Sequence, residues 1–298
     1  MRFLVAAVAA LMTSCATAPT APYAEVLGVA QDGGYPQAGC ERADCVEAWE
    51  KARLRQLVAS LAIVDPASGE RWIIDATPDF PEQLHAIGGP LSGVLLTHAH
   101  IGHYTGLMHL GREVMGARGV PVYAMPRMRA FLERNGPWDQ LVRLRNIELR
   151  PLEDGTALRL NERISVTPMI VPHRDEYSET VAFLIRGPDR SVLWLPDIDK
   201  WEKWATPIET LLEEVDVAYV DGTFYDEREL PGRNLSEIPH PTIVETMQRL
   251  APLSADLRDK VRFMHLNQSN PALRDSQVRS EIRRRGFGIA RQGERTPL

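Results

Sequence analysis

Cysteine is almost missing from this chain, with three residues in 298. Three thiols cannot close an all-cysteine zinc site, so a core must come from ordinary apolar burial. Long blocks of lysine or arginine are also lacking and the formal net charge is −6, which removes the electrostatic footprint of a nucleic-acid-binding surface. The one short basic stretch, RSEIRRRG near the C-terminus, reads as the solvated face of a helix. No internal repeat is visible, and the only low-complexity stretch lies close to the N-terminus. What remains is 44% hydrophobic and 25% charged, the composition of an ordinary globular domain.

The N-terminus reads as an export signal. MRFLVAAVAALMTSC has one basic residue, then an apolar stretch too short to span a bilayer, then small residues before a cysteine. Its ending, Met12-Thr13-Ser14-Cys15, resembles the lipobox of bacterial lipoproteins, which implies cleavage before Cys15 and acylation of that residue. Residues 1–15 are then the signal and 16–23, including ATAPTAP, an extended tether that proline keeps from forming a helix. The domain occupies 24–298. Lipid anchoring places it at the periplasmic face of a bacterial membrane, the outer membrane being the expected one. In that oxidising setting Cys40 and Cys45 are expected to form a local disulfide, the alternative being two thiols lent to a structural zinc site.

Apolar runs rich in β-branched residues recur between turn signals: EVLGVA, LVASLAIVD, RWIIDA, GVLLT, PVYAM, ISVTPMIVP, VAFLIRG, SVLWLPD, VAYVDGT and VRFMHL. Helical patterns fall between them, among them CVEAWEKARL, DFPEQLHAIG, YTGLMHLGREVM, RMRAFLERN, KWATPIETLLEEV, PTIVETMQRLAPL and SQVRSEIRRRG. This alternation predicts one α/β (α+β) domain of mixed sheets with helices packed outside.

The densest chemistry is LLTHAHIGHYTGL, residues 95–107. In extended backbone, residues two apart share a side, so His98 and His100 converge at the end of a buried strand. Two imidazoles aimed at one point suit a metal ion, since neutral rings supply ring nitrogens and protonated rings would repel. His103 follows as the chain turns into a helix. Further metal-capable groups end later strands: His173 after VTPMIVP, Asp197 after SVLWLP and His265 after VRFM. Asp75 and Asp221, also at strand ends, are candidates to orient ligand histidines through their other N–H. His240 is a candidate for that role or for the pocket wall. His85 and His109 lie in helical patterns and read as surface or packing residues. The glycines of QDGGYPQ read as a tight turn near the metal edge, and Trp194, Trp201 and Trp204 as core or as the wall of a substrate cavity.

With these residues in order, the sequence resembles the metallo-β-lactamase superfamily, whose signature is His-x-His-x-Asp-His followed by a later His, an Asp and a final His. Within it the resemblance runs to the pyrroloquinoline quinone biosynthesis protein B family, through LGVAQDGGYPQAGC, WLPDID, VDGTFY, EIPHP and HLNQSNP. The resemblance implies an αββα sandwich of two mixed β-sheets flanked by helices, the metallo-β-lactamase fold. It also implies that His98, His100 and His173 hold one metal, that His103 and His265 hold a second, and that Asp197 bridges them. Gly102 stands where the signature has aspartate. Losing that carboxylate leads to the expectation of one firmly held Zn2+ and a second that is weak or absent, with iron as the alternative occupant.

The function expected is a metal-dependent hydrolase in which hydroxide generated on the metal attacks an ester, amide or lactam, or phosphodiester bond of a small-molecule substrate, with Asp197 and His103 as catalytic groups. Two alternatives accompany it. One is iron-dependent oxidation of a quinone-precursor-like substrate; the other is a non-catalytic lipoprotein that binds metal or a ligand.

Overall fold

The ten apolar runs all become strands, and the computed structural model, which describes residues 21–298, combines them with four more into two sheets. The first half of the chain supplies β1 (Tyr23–Gly28), β2 (Ser60–Asp65), β3 (Glu70–Ile74), β4 (Gly93–Leu95), β5 (Val120–Ala124) and β6 (Ile147–Pro151). The second half supplies β7 (Leu158–Arg159), β8 (Ser165–Ile170), β9 (Val181–Arg186), β10 (Ser191–Leu195), β11 (Val217–Asp221), β12 (Val261–Met264) and β13 (Gly288–Ile289); β14 (Arg295–Pro297) then returns to the first sheet. The sheet orders are β14-β1-β2-β3-β4-β5-β6 and β13-β12-β11-β10-β9-β8-β7.

The two sheets share one plan. In the first, β1 to β3 are antiparallel and β3 to β6 parallel. In the second, β7 to β10 are antiparallel and β10 to β13 parallel. This repeat of architecture has no counterpart in the sequence, because strand direction follows from the crossover helices and not from any shared residue pattern.

Strands covered on both faces read as unbroken apolar runs. Alternate residues explain the layering. Leu61, Ile63, Trp72 and Ile74 face Val166, Phe183, Ile185, Val192, Trp194 and Tyr219 between the sheets. Their neighbours Ala62, Val64 and Ile73 turn outward, onto α2 (Phe80–Ile87), α4 (Pro126–Arg134) and α5 (Trp138–Arg143). In the second sheet Leu193, Leu195, Ala218 and Val220 meet α6 (Ile208–Glu214), α7 (Ile243–Leu250) and α9 (Ser276–Arg284). Each fully buried side chain of this size contributes roughly 1.5–3 kcal/mol. The remaining helices are α1 (Ala43–Glu50), α3 (Ile101–Tyr104) and α8 (Ala255–Asp259). The result is the αββα sandwich, the metallo-β-lactamase fold.

Several boundaries differ from those the sequence suggests. Tyr23 belongs to the domain and not to the tether: it opens β1, pairing with Val64 and Pro297. The pattern YTGLMHLGREVM does not make one helix; α3 gives way to a 3-10 stretch over Thr105–Leu110. Gly106 is the reason, since its N–H donates to the Ala76 carbonyl at 2.9 Å and a Cβ there would lie 2.1 Å from the Thr77 carbonyl oxygen. The segment is bonded across to the loop after β3 instead of to its own preceding turn. KWATPIETLLEEV forms a helix only from Ile208, where Pro207, lacking an N–H, sits at the cap. RSEIRRRG ends in α9, with Arg283, Arg284 and Arg285 exposed and Ile282 buried, a solvated face as expected. Cys15, the expected lipidation site, and most of the expected tether lie outside the described residues. Among the described residues, no helix is long and apolar enough to cross a membrane.

One buried carboxylate ties the sheets together. Asp65, 1% exposed at the end of β2, takes the Arg163 guanidinium, the Asn161 side-chain amide at 2.9 Å and the Ala67 N–H at 2.9 Å. Burial alone would raise its carboxyl, but Arg163 and these N–H donors hold it at about 2. An unfolded aspartate titrates near ~3.9, so the tie stabilises the fold above about pH 4 and is lost as pH falls through about 2. Asp65→Asn is expected to lower unfolding stability by ~1–3 kcal/mol at neutral pH. It should also flatten the acid limb of stability against pH in urea unfolding; an unchanged acid limb would show that the tie contributes nothing.

Candidate metal centre

Apart from His103, the candidate ligands and their orienting aspartates sit at the carboxyl end of a strand or in the loop that follows. Asp75 follows β3, His98 and His100 follow β4, His103 lies in α3, and His173 follows β8. Asp197 follows β10, Asp221 ends β11, and His265 follows β12. In open sheets with parallel strands, the carboxyl ends are where ligands bind. Two of these residues have left-handed backbone, Asp75 (φ 67°) and His265 (φ 60°). Aspartate and histidine are among the residues that tolerate this region, and such geometry gathers at functional sites.

The structure brings His98, His100, His103, His173, His265 and Asp197 together. Asp197 Oδ2 lies 3.0 Å from His103 Nε2, 3.2 Å from His265 Nε2 and 3.8 Å from His98 Nε2. Its Oδ1 lies 3.5 Å from His173 Nε2. One oxygen therefore faces the His103 and His265 side and the other faces His173. Donor atoms fall into overlapping groups, each within 4.8 Å: His98, His100 and His173; His98, His103 and Asp197; and Asp32, His103 and His265.

Two Asp–Thr pairs orient the rings. A threonine hydroxyl has one proton to give. Thr97 Oγ1 donates to Asp75 at 2.9 Å, which leaves its lone pair to accept the Nδ1–H of His98 at 3.0 Å; His103 Nδ1–H donates directly to Asp75 at 2.8 Å. In the second half of the chain Thr223 Oγ1 donates to Asp221 at 2.8 Å and accepts from His265 Nδ1–H at 3.0 Å. His240 Nδ1–H donates to Asp221 at 2.7 Å. With the Nδ1 protons committed, the Nε2 atoms of His98, His103 and His265 point inward.

Those inward atoms lack hydrogen-bond partners. Nε2 of His98, His103, His173 and His265, together with Asp197 Oδ2 and Asp32 Oδ1, are buried and make no hydrogen bond. The neutral His98 ring turns its Nε2 lone pair toward the Asp197 carboxylate 3.8 Å away, an arrangement that repels unless a cation lies between them, so the donor set fits a bound metal ion. Electrostatics agree with ligation at His98 and His173. Burial pushes the His98 imidazolium well below its ordinary range, and burial puts that of His173 at about 4, so both rings are neutral at pH 7. Burial opposes protonation of His103 too, but Asp75, Asp197 and Asp32 hold its imidazolium well above the usual range. Burial would raise the Asp197 carboxyl, yet the His265 and His103 rings beside it keep it ionised well below the usual carboxylate range.

The other expected positions are settled by the same geometry. His240 is buried against Asp221, its ring 5.2 Å from that of His173, and is not an exposed loop histidine. His85 is exposed and His109 stacks on Phe80. Cys40 and Cys45 are joined in a disulfide, so neither lends a thiol to zinc. Trp194 fills the core between the sheets, while Trp204 lines a cavity of about 500 Å³ beside His173. Residues that sequence reasoning missed are Asp32, Thr97, Thr223 and Ser178, whose Oγ accepts the Ala99 N–H at 2.8 Å and holds the histidine loop. The threonines adjoin named positions, in LLTH and VDGT; Asp32 sits in the QDGG turn, where only its two glycines carried a signal.

Because Asp75 accepts from both Thr97 and His103, Asp75→Asn is expected to weaken metal binding by ~10–100-fold, the usual cost of losing such an orienting partner. Competition with a chromophoric chelator measures it, with near-ultraviolet circular dichroism confirming the fold. Undiminished affinity would remove Asp75 from the centre.

A family profile described as "Beta-lactamase superfamily domain" matches residues 70–265. Coenzyme PQQ synthesis protein B of Ruegeria pomeroyi is 27% identical over 302 residues, covering 90% of this chain and 97% of that protein. Its counterpart from Xanthomonas axonopodis pv. citri is 26% identical over 306 residues with the same coverage. Among solved structures, Zn(2+)-bound PqqB from Methylobacterium extorquens shares the fold with a TM-score of 0.77 at 22% identity, over 93% of this chain and 100% of that one. A diphosphatase from the PhnP family gives 0.70 at 20% identity, over 93% and 97%. The chain belongs to the β-lactamase superfamily and is similar over nearly all of its length to coenzyme PQQ synthesis protein B.

Proposed function

We propose that this chain is an exported, metal-dependent hydrolase of a small-molecule ester, amide or lactam, or phosphodiester, held at the periplasmic face of the outer membrane by a lipid on Cys15. The convergence of buried, unbonded Nε2 atoms on Asp197 carries the reading. A divalent cation in that position supplies Lewis-acid polarisation and water acidic enough to be a nucleophile near neutral pH. The residues supply the rest. Asp197, kept ionised by the surrounding imidazoles, is placed to orient the attacking water and accept its proton. Asp75 and Asp221, through Thr97 and Thr223, keep the rings in one tautomer. His103, clasped between Asp75 and Asp197, holds the geometry at the centre of the cluster.

A phosphodiester is favoured within that set because structures sharing the fold include the PhnP-family diphosphatase, human tRNase Z and yeast PDE1, the last two at a TM-score of 0.59. The similarity to coenzyme PQQ synthesis protein B supports a second reading, oxidation of a quinone-precursor-like substrate on iron. Zinc is the cation favoured for hydrolysis, as in the Zn(2+)-bound PqqB structure.

Elemental analysis of protein from its native host, combined with assays on bis(p-nitrophenyl) phosphate, nitrocefin and a p-nitrophenyl ester, tests the first reading. His98→Ala and His173→Ala are expected to lose metal and to slow turnover by at least ~100-fold, since losing even one preorganised stabilising group costs about that much. Unchanged metal content in both variants would end the proposal, and oxygen uptake on iron-loaded protein without hydrolysis would favour the second reading. For the anchor, Cys15→Ala is expected to move the protein from the membrane fraction to the soluble periplasm and to abolish palmitate labelling; a variant still membrane-bound and labelled would refute it.

A further inference from the structure

Gly102 leads to the expectation of a second metal position short of a carboxylate. The structure puts another carboxylate in that place. A Cβ built on Gly102 would lie 2.1 Å from Asp32 Oδ1 and 2.5 Å from the Asp32 Cα. No side chain fits at 102 while Asp32 is where it is, so glycine there is a packing requirement set by Asp32. We infer that Asp32 has taken over as the carboxylate ligand of the second metal position, which Asp32, His103, His265 and Asp197 together hold beside the His98, His100 and His173 position. This inference rests on the metallohydrolase reading.

Three observations carry it. Asp32 Oδ1 lies 3.4 Å from His103 Nε2, and both atoms lie within 4.8 Å of the His265 donor atom. Asp32 Oδ1 is buried without a hydrogen bond, so it is not spent on capping its own turn, the ordinary use of an aspartate before two glycines. Its position is also built in. Gly34 N–H donates to the Gln31 carbonyl at 2.7 Å, closing a turn with Asp32 inside it. Gln31 N–H donates to the Leu266 carbonyl at 3.0 Å and Leu266 N–H to the Val29 carbonyl at 2.8 Å. The side-chain amide of Asn267 donates to that of Gln31. The segment leading into the Asp32 turn is thus bonded to the residue directly after His265, and the two donors are set against each other by one backbone bridge. The four side chains bring two carboxylates and two imidazole rings, a donor count that matches a dication, which on binding would displace the proton that the surrounding carboxylates favour on His103.

Titration of metal-free full-length protein with Zn2+, and in parallel with Co2+ followed by its visible absorption, tests the inference. Wild type is expected to bind two equivalents; Asp32→Asn and Asp32→Ala are expected to bind one, with the second weakened at least tenfold and its Co2+ absorption lost. Asn keeps the turn geometry and near-ultraviolet circular dichroism confirms folding, so loss of only the second equivalent separates ligation from misfolding. Wild type binding one equivalent that His98→Ala abolishes would overturn the inference and leave the hydrolase reading intact. Variants that keep two equivalents at unchanged affinity would overturn it as well. Wild type binding no metal would sink both.

Discussion

The arrangement depends on one buried carboxylate facing the ring nitrogens of surrounding imidazoles. Asp197 is 2% exposed, and stripping an ion of water costs several kcal/mol unless charge or hydrogen bonds replace it. No arginine does so here; the groups within reach are the ring nitrogens of His98, His103, His173 and His265. A bound cation would reconcile the carboxylate with the neutral rings of His98 and His173. The Asp–Thr pairs, the left-handed backbone at Asp75 and His265, and the glycine at 102 all serve to keep those ring nitrogens aimed inward.

The fold makes that aim possible through rigidity. Both sheets are buried on two faces, so the strands ending in Asp75, His98, Asp197, Asp221 and His265 cannot shift without disturbing packed cores on either side. Each half contributes an Asp–Thr–His relay of the same form, and the centre lies where the carboxyl ends of the two parallel regions meet. Direct bonds join them there: Val181 N–H to the Thr97 carbonyl at 3.2 Å and the Ala99 N–H to Ser178. A site assembled from both sheets needs both folded, which couples metal binding to the integrity of the whole domain.

Much of this was legible in the residue pattern. Ten strands announced themselves because burial on both faces demands apolar runs, and the histidines stood out because HAHIGH places several imidazoles at a strand's end. The edges were not legible. β7 and β13 have two residues each and β14 three, too short for any periodicity to register. YTGLMHLGREVM carries a helical pattern, yet Gly106 bonds to Ala76 across the fold and the local preference loses. Thr97 and Thr223 passed unnoticed because a hydroxyl's role depends on who shares its single proton.

The sequence alone pointed to metal-capable imidazoles and carboxylates at the strand ends of a mixed-sheet domain, since imidazole spacing and apolar periodicity are properties of neighbouring residues. Only the tertiary structure decided how that cluster is completed. Asp32 and Gly102 are 70 positions apart in the chain, and nothing in either segment signals the other. Their side-by-side packing is a long-range contact between the turn after β1 and the start of α3, whose energy lies in folded geometry and not in local preference.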